Sequence, residues 1–207
     1  MDFVRPVEAI VPGAQGRVLA VLVETTAELN LRTIAQLAGV SPAQASRVLP
    51  GLVELGLVER REVPPASLFR LVREHVASRA LLELARSTDT VLDEIGRLAA
   101  ALPRPPMSVI VFGSFARREA DTDSDIDLIV VRPEEIDADD DNWVESLEAW
   151  RHDVRRLTGN PVEVLEVSAV EAPGKLAGRS QIWGDIRRDA RVVHGLGIDE
   201  LRAAHGV

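Results

Sequence analysis

Two short apolar runs, separated by a Gly-Ser pair and an acid-rich segment, constrain this chain more than anything else in it. Met107–Phe112 is rich in valine and isoleucine, and Gly113-Ser114 follows it. Asp123-Ser124-Asp125-Ile126-Asp127-Leu128 then leads into a second run, Ile126–Val131. Runs of this length and composition predict buried strands. Glycine lets a backbone approach a ligand closely, and a serine hydroxyl can bond a phosphate oxygen. Ser114–Arg118 is expected to open a helix whose free N–H groups favour an anion. Side chains alternate along a strand, so Asp125 and Asp127 are expected on one face, with Ile126 and Leu128 in the core.

Two carboxylates so placed can bridge hard cations, and magnesium is usually shared between carboxylates and substrate phosphates. A two-metal site holds its ions about 3.5–4 Å apart, and it usually wants a third acid. Glu163, in the run Pro161–Val167, is the best candidate, because it alternates with Val162 and Val164. The alternative for Glu163 is a solvent-facing strand residue. Glu166 points to the opposite face and is the weaker choice. The alternation of Asp121, Asp123, Asp125 and Asp127 also looks like a calcium loop. Such a loop needs glycine at its sixth position and glutamate at its twelfth, where this chain has Ile126 and Arg132. A plain acidic loop does not explain carboxylates inside an apolar strand, since an unpaired buried charge is costly.

Gly113-Ser114, Ala116-Arg117 and Asp123–Leu128 together resemble the signature of the DNA polymerase β-type nucleotidyltransferase superfamily, nearest its minimal nucleotidyltransferase branch. The resemblance covers residues 103–195. It implies that Asp125, Asp127 and Glu163 are the catalytic residues and hold two Mg2+ ions. It implies that Gly113 and Ser114 hold the triphosphate, with Arg117 and Ser124 in the nucleotide-binding set. The implied reaction moves a nucleoside monophosphate from an NTP to a nucleic-acid or protein acceptor and releases pyrophosphate. Relatives of this branch often act in toxin–antitoxin pairs, so a cognate toxin is an implied protein partner. One departure stands out: many relatives have glycine after the arginine, and this chain has Arg118.

The N-terminal part reads differently. Residues 16–25, Leu31–Ala38 and Ala43–Leu55 carry apolar residues at helical spacing. Ser41-Pro42 is a good helix start, and Gly56 a good stop. Leu57–Val63 and Ser67–Val72, around Pro64-Pro65-Ala66, predict a β-hairpin. Helix, helix, tight turn, helix and hairpin make a winged helix-turn-helix, and Ile34–Arg61 resembles those of bacterial transcription regulators. In that geometry the third helix enters the DNA major groove. Gln44, Ser46 and Arg47 would be exposed there, with Gln44 and Arg47 able to reach base edges, and Arg60 and Arg61 on the wing able to meet phosphates. Against DNA stand a balance of eight arginines and eight acids over residues 1–75 and Pro50, which is expected to kink the third helix. RNA or protein docking is the alternative.

The expected fold is therefore α+β: a winged helix-turn-helix over 1–75, a long linker helix over 76–102, and a small mixed-sheet nucleotidyltransferase domain over 103–207. The periodicity predicts one helix over Glu74–Leu102, and its apolar stripe favours a homodimer. Pro103–Pro106 marks the clearest boundary. Further on, Trp143–Leu157 and Val170–Leu176 predict helices, and Arg187–Val193 a last strand. His152, His194 and His205 are scattered, and none is assigned a role.

The net charge of −9 excludes a protein coated in basic surface, so any nucleic-acid contact must come from a patch. The acidic run Glu134–Glu148 reads as solvated surface. With no cysteine there is neither a disulfide framework nor a zinc–thiolate site. The N-terminus lacks a signal-peptide layout, and no apolar run approaches a membrane span, so a soluble cytoplasmic protein is expected. The competing function class is a regulator or antitoxin-type protein whose nucleotidyltransferase domain senses nucleotide or binds a partner.

Overall fold

Separate sets of apolar residues build separate cores, and the chain divides with them. Asp2 and Val4–Ser87 form one unit; Met1, Phe3 and the chain from Thr88 onward form the other. The computed structural model describes residues 1–178 and 180–203.

The N-terminal unit runs α1 (Pro6–Ile10), α2 (Ala14–Glu24), β1 (Leu29–Asn30), α3 (Leu31–Leu37), α4 (Pro42–Glu54), β2 (Val58–Val63), β3 (Ala66–Leu71) and α5 (Val76–Ala85). Asn30 starts α3 by accepting the Thr33 N–H at 3.0 Å. Ser41 and Gln44 start α4 with a reciprocal capping box, which satisfies two otherwise orphaned N–H groups. The three strands form an antiparallel sheet in the order β1-β3-β2. Val18, Leu22, Ile34, Ala45, Leu49, Leu52 and Phe69 make the core. This is the winged helix-turn-helix. Pro50 does not break α4, which continues to Glu54 with Pro50 on its exposed side.

The C-terminal unit runs α6 (Ser87–Ala100), β4 (Ser108–Phe112), α7 (Gly113–Ala116), β5 (Ile126–Arg132), α8 (Asp141–Thr158), β6 (Val162–Ser168), α9 (Ala172–Ala177), α10 (Gln181–Asp189), β7 (Arg191–Gly195) and α11 (Ile198–Ala203). Its sheet has the order β6-β5-β4-β7, with β5 and β6 parallel and the other pairs antiparallel. Alternation divides the strand residues between two layers. Val109, Val111, Leu128 and Val130 pack with Ile95, Trp143, Trp150 and Val154. Ile110, Ile129, Val131 and Val167 pack with Ala172, Leu176, Ile186 and Leu201. Asp140 caps α8 by accepting the Trp143 N–H at 2.9 Å, and Gly159, at φ +74°, ends it.

Three expectations change. The helix expected over 74–102 is two helices, divided at Arg86. Its stripe is divided too: Leu81, Leu82 and Leu84 pack on the N-terminal core, and Val91, Leu92, Ile95 and Ala99 belong to the C-terminal one. The continuous face that favoured a homodimer is therefore absent. Ser87-Thr88-Asp89, residue types typical of a helix start, marks the break. Arg187 and Asp189 lie in α10, and the last strand begins only at Arg191. The helix expected from Val170 begins at Ala172. Among the described residues no helix is long and apolar enough to cross a membrane.

Candidate active site

The site is one row of residues across three strands. Phe112 on β4 pairs with Asp127 on β5, and Asp127 pairs with Glu163 on β6. Ile126 and Leu128 point into the core beside α6 and α8, so alternation turns Asp127 to the other face. Gly113 follows Phe112 directly. Its φ is +70°, and a Cβ built there would collide with the Asp127 carboxylate. The turn and the acid are thus in contact, and only glycine fits both the backbone angle and the space.

Asp127 is half-buried. Burial pushes its carboxyl above the usual range, Asp125 and Glu163 push the same way, and Arg117 partly offsets them. Asp127 thus feels both of the other acids. Asp125 lies one residue before β5 and is exposed, and Glu163 is exposed on the outer strand. Among the described residues no three acidic or histidine side chains are gathered into a ready metal cage.

The loop that delivers Asp125 is tied from within and below. The Ser124 hydroxyl donates to Asp121 Oδ1 at 2.8 Å, and the Asp123 N–H donates to the same oxygen at 3.1 Å. The Ser124 bond and then the Asp123 N–H hold the Asp121 carboxyl below its usual range. Ser124, expected at the nucleotide, is therefore engaged in the turn. Asn160 is fully buried beneath it. Its amide donates to the carbonyls of Asp121 at 3.0 Å and Ser124 at 2.9 Å, and its oxygen accepts from the Met1 amino group at 2.7 Å. Gly159-Asn160-Pro161 has the composition of a turn, and nothing in that local pattern distinguishes a buried anchor from an exposed turn residue.

Ser114 is half-buried, and its hydroxyl has no partner among the described residues. Arg117 pairs with Glu119 at 2.8 Å, so it closes an ion pair with a loop acid. Arg118 has φ +62° and pairs with Asp89 at 2.5 Å. Glycine takes this left-handed angle freely, whereas a residue with a Cβ is strained at it. A cleft of about 410 Å3 opens beside Gly113 and Arg117 and is bounded by Gln181, Ile182 and Asp185 of α10. No element is expected over residues 181–186 from sequence, although Ile182 and Ile186 have helical spacing. Glu166 is paired with Arg132 at 2.6 Å and is not free for a ligand. His152 and His194 contribute nothing to the row, and His205 lies outside the described residues.

In the N-terminal unit Gln44, Ser46 and Arg47 are all exposed on α4. The Gln44 side-chain oxygen is engaged by the Ser41 N–H at 2.9 Å. Arg47 has no ion pair or side-chain hydrogen bond among the described residues. Arg60 pairs with Glu62 at 2.6 Å and with Ser67, and Arg61 pairs with Glu28. Both wing arginines thus carry acidic partners, which the sequence reading did not foresee because Glu28 is far away in the chain. Exposed Arg32 of α3 shares a groove with Ser46, Pro50 and Arg60 and also lacks a partner.

The chain thus joins a helical unit with a three-stranded sheet to a small mixed sheet that carries a glycine turn beside an acid row. Residues 101–181 match the family described as "Polymerase beta, Nucleotidyltransferase", and residues 16–62 match the "IclR helix-turn-helix domain". The chain thus carries a polymerase β-type nucleotidyltransferase domain behind an N-terminal helix-turn-helix, as the motifs implied. No curated protein matches the chain. A solved structure described as "Crystal structure of the toxin-antitoxin with AMP-PNP" is 13% identical, covers 56% of this chain and 82% of that chain, and has a TM-score of 0.36. At that score the likeness carries no argument about function.

Proposed function

We propose that the C-terminal unit transfers a nucleoside monophosphate from an NTP to an acceptor hydroxyl. The observation that carries this reading is the contact of Gly113 with Asp127 in a row that ends at Glu163. The triphosphate occupies the cleft beside Gly113, where the free Ser114 hydroxyl and Arg117 meet its oxygens. The acceptor oxygen bonds to the α-phosphorus as the bond to the α–β bridging oxygen breaks. Pyrophosphate leaves with that electron pair, and the acceptor proton passes to solvent.

The donor set fits magnesium. Asp125, Asp127 and Glu163 offer hard oxygen ligands; Asp125 and Glu163 both act against the charge on Asp127, and Arg117 offsets them only in part. Magnesium characteristically takes one or two carboxylates and completes its shell with substrate phosphates and water, so a ready protein cage is not required. When bound, the ions would neutralise phosphate charge and activate the attacking oxygen. Calorimetric titration with each NTP tests the reading. Wild type is expected to bind at least one NTP in a magnesium-dependent way, and Asp125→Ala to lose that dependence; unchanged binding by the variant would overturn the metal assignment.

The helix-turn-helix match favours a second activity that can coexist with the first: operator binding through α4, with Arg47 as the free base-reading cation. Under this reading the nucleotidyltransferase unit senses nucleotide or engages a protein partner such as a toxin. A promoter fragment of its own gene is expected to bind wild type more tightly than Arg47→Ala, by about 1–3 kcal/mol. Equal binding would remove α4 as the reader.

A further inference from the structure

The chain leaves the C-terminal unit after Phe3 and returns to it at Thr88, and residues at both junctions take hold of the same stretch of the active site. Phe3 is buried, and its ring stands edge-on to Phe115 with 4.9 Å between centroids. Its N–H donates to the Ala120 carbonyl at 2.9 Å. Asp89, one residue past Thr88, pairs with Arg118 at 2.5 Å and meets Arg191 of β7 at 4.0 Å. Residues 115, 118 and 120 are therefore held from outside the segment, and Arg117 lies among them. Ser114 is tied to the same segment, since its carbonyl accepts the Glu119 N–H at 2.8 Å. The two residues proposed to meet the triphosphate, Ser114 and Arg117, thus depend on where these anchors stand.

Neither junction has slack. Asp2 Oδ1 accepts the N–H groups of Val4 at 2.9 Å and Arg5 at 2.8 Å, a closed turn that leads from Phe3 directly into α1. At the other junction Arg86 alone separates α5 from α6, so Asp89 lies in the first turn of α6. A flexible linker absorbs a displacement of the domain it carries; a closed turn and a one-residue joint pass it on.

We propose that Phe3 and Asp89 are positioning residues for the nucleotide, acting through Phe115, Arg118 and Ala120, and that through them nucleotide binding is coupled to the helix-turn-helix unit. The proposal rests on the nucleotidyltransferase reading. It makes the coupling reciprocal: a ligand of the N-terminal unit changes NTP affinity by the same factor by which NTP changes the affinity for that ligand.

The test titrates the full chain with each NTP and magnesium by calorimetry. Removing an acid beside a triphosphate site, and releasing Arg118 with it, would by charge alone tighten binding. Positioning predicts the opposite sign: Asp89→Asn is expected to weaken NTP binding about fivefold, the low end of such coupling. Glu94→Gln removes an acid from the same helix and frees Arg97, and is expected to stay within about twofold. Phe3→Ala is expected to weaken binding as Asp89→Asn does; if it does not fold, Asp89→Asn decides alone. Amide hydrogen exchange adds a readout that a merely structural role does not move. Saturating NTP is expected to change the protection of α1 and α5 in wild type and to leave it unchanged in Asp89→Asn. Equal or tighter NTP binding by Asp89→Asn, or protection of α1 and α5 indifferent to NTP in wild type, overturns the proposal and leaves the nucleotide site standing. If no NTP binds wild type, the nucleotidyltransferase reading falls and the proposal with it.

Discussion

Gly113 has no room for a side chain because Asp127 occupies the space where its Cβ would stand. The turn and the acid that the sequence separates by thirteen residues are one geometric object, closed by the Phe112–Asp127 pairing of β4 and β5. Gly113→Ala therefore meets both a φ of +70° and a collision. It is expected to cost about 1–3 kcal/mol, read as a lower urea midpoint. NTP affinity is expected to fall with it.

Asp127 titrates against the fold. Its folded value is raised above the ordinary 3.8 by burial and by two neighbouring acids, so its ionised form destabilises the protein. That penalty is absent below the unfolded value and is fully present above the folded one. Asp127→Asn is thus expected to abolish transfer yet unfold later than wild type at neutral pH. The gain is about 1–2 °C in Tm, kept small by solvent screening of a half-exposed group. Below pH 3.8 the two proteins are expected to converge, and calorimetry across pH reads this.

Arg118 stands at a left-handed angle that glycine takes without strain. Arg118→Gly and Arg118→Ala both lose the pair with Asp89, so their difference isolates the backbone. Relief of strain, about 1–2 kcal/mol, exceeds the extra unfolded-state entropy of glycine, about 0.4–1 kcal/mol. The glycine variant is expected to be the more stable of the two by chemical denaturation.

Asn160 anchors the loop that presents Asp125. Asn160→Leu leaves two loop carbonyls and the Met1 amino group without their partner. It is expected to cost about 2–3 kcal/mol and to lower kcat more than it raises the KM for NTP. A KM effect alone would make Asn160 a purely structural residue.

The legible parts of this chain were those written in local pattern. Alternation of Asp127 with Ile126 and Leu128 placed that acid on its face, and Ser41-Pro42 placed the start of α4 to the residue. What stayed illegible depended on distant partners. Asn160 reads as a turn residue until Asp121 and Met1 are folded against it. Arg61 reads as a free cation until Glu28 arrives across the wing. The helix over 74–102 was over-read because its apolar periodicity continues through Arg86, although Leu84 and Leu92 serve different cores. Helix α10 leaves little apolar pattern to read, because Ile186 is its buried residue and Ile182 is exposed.

The most direct measurement of the central claim is label transfer. Wild type and Asp125→Ala are incubated with magnesium, each α-labelled NTP in turn, and a host-cell lysate. The account predicts label on a macromolecular acceptor with wild type only, accompanied by pyrophosphate. No transfer from any NTP, or equal transfer by Asp125→Ala, would contradict it.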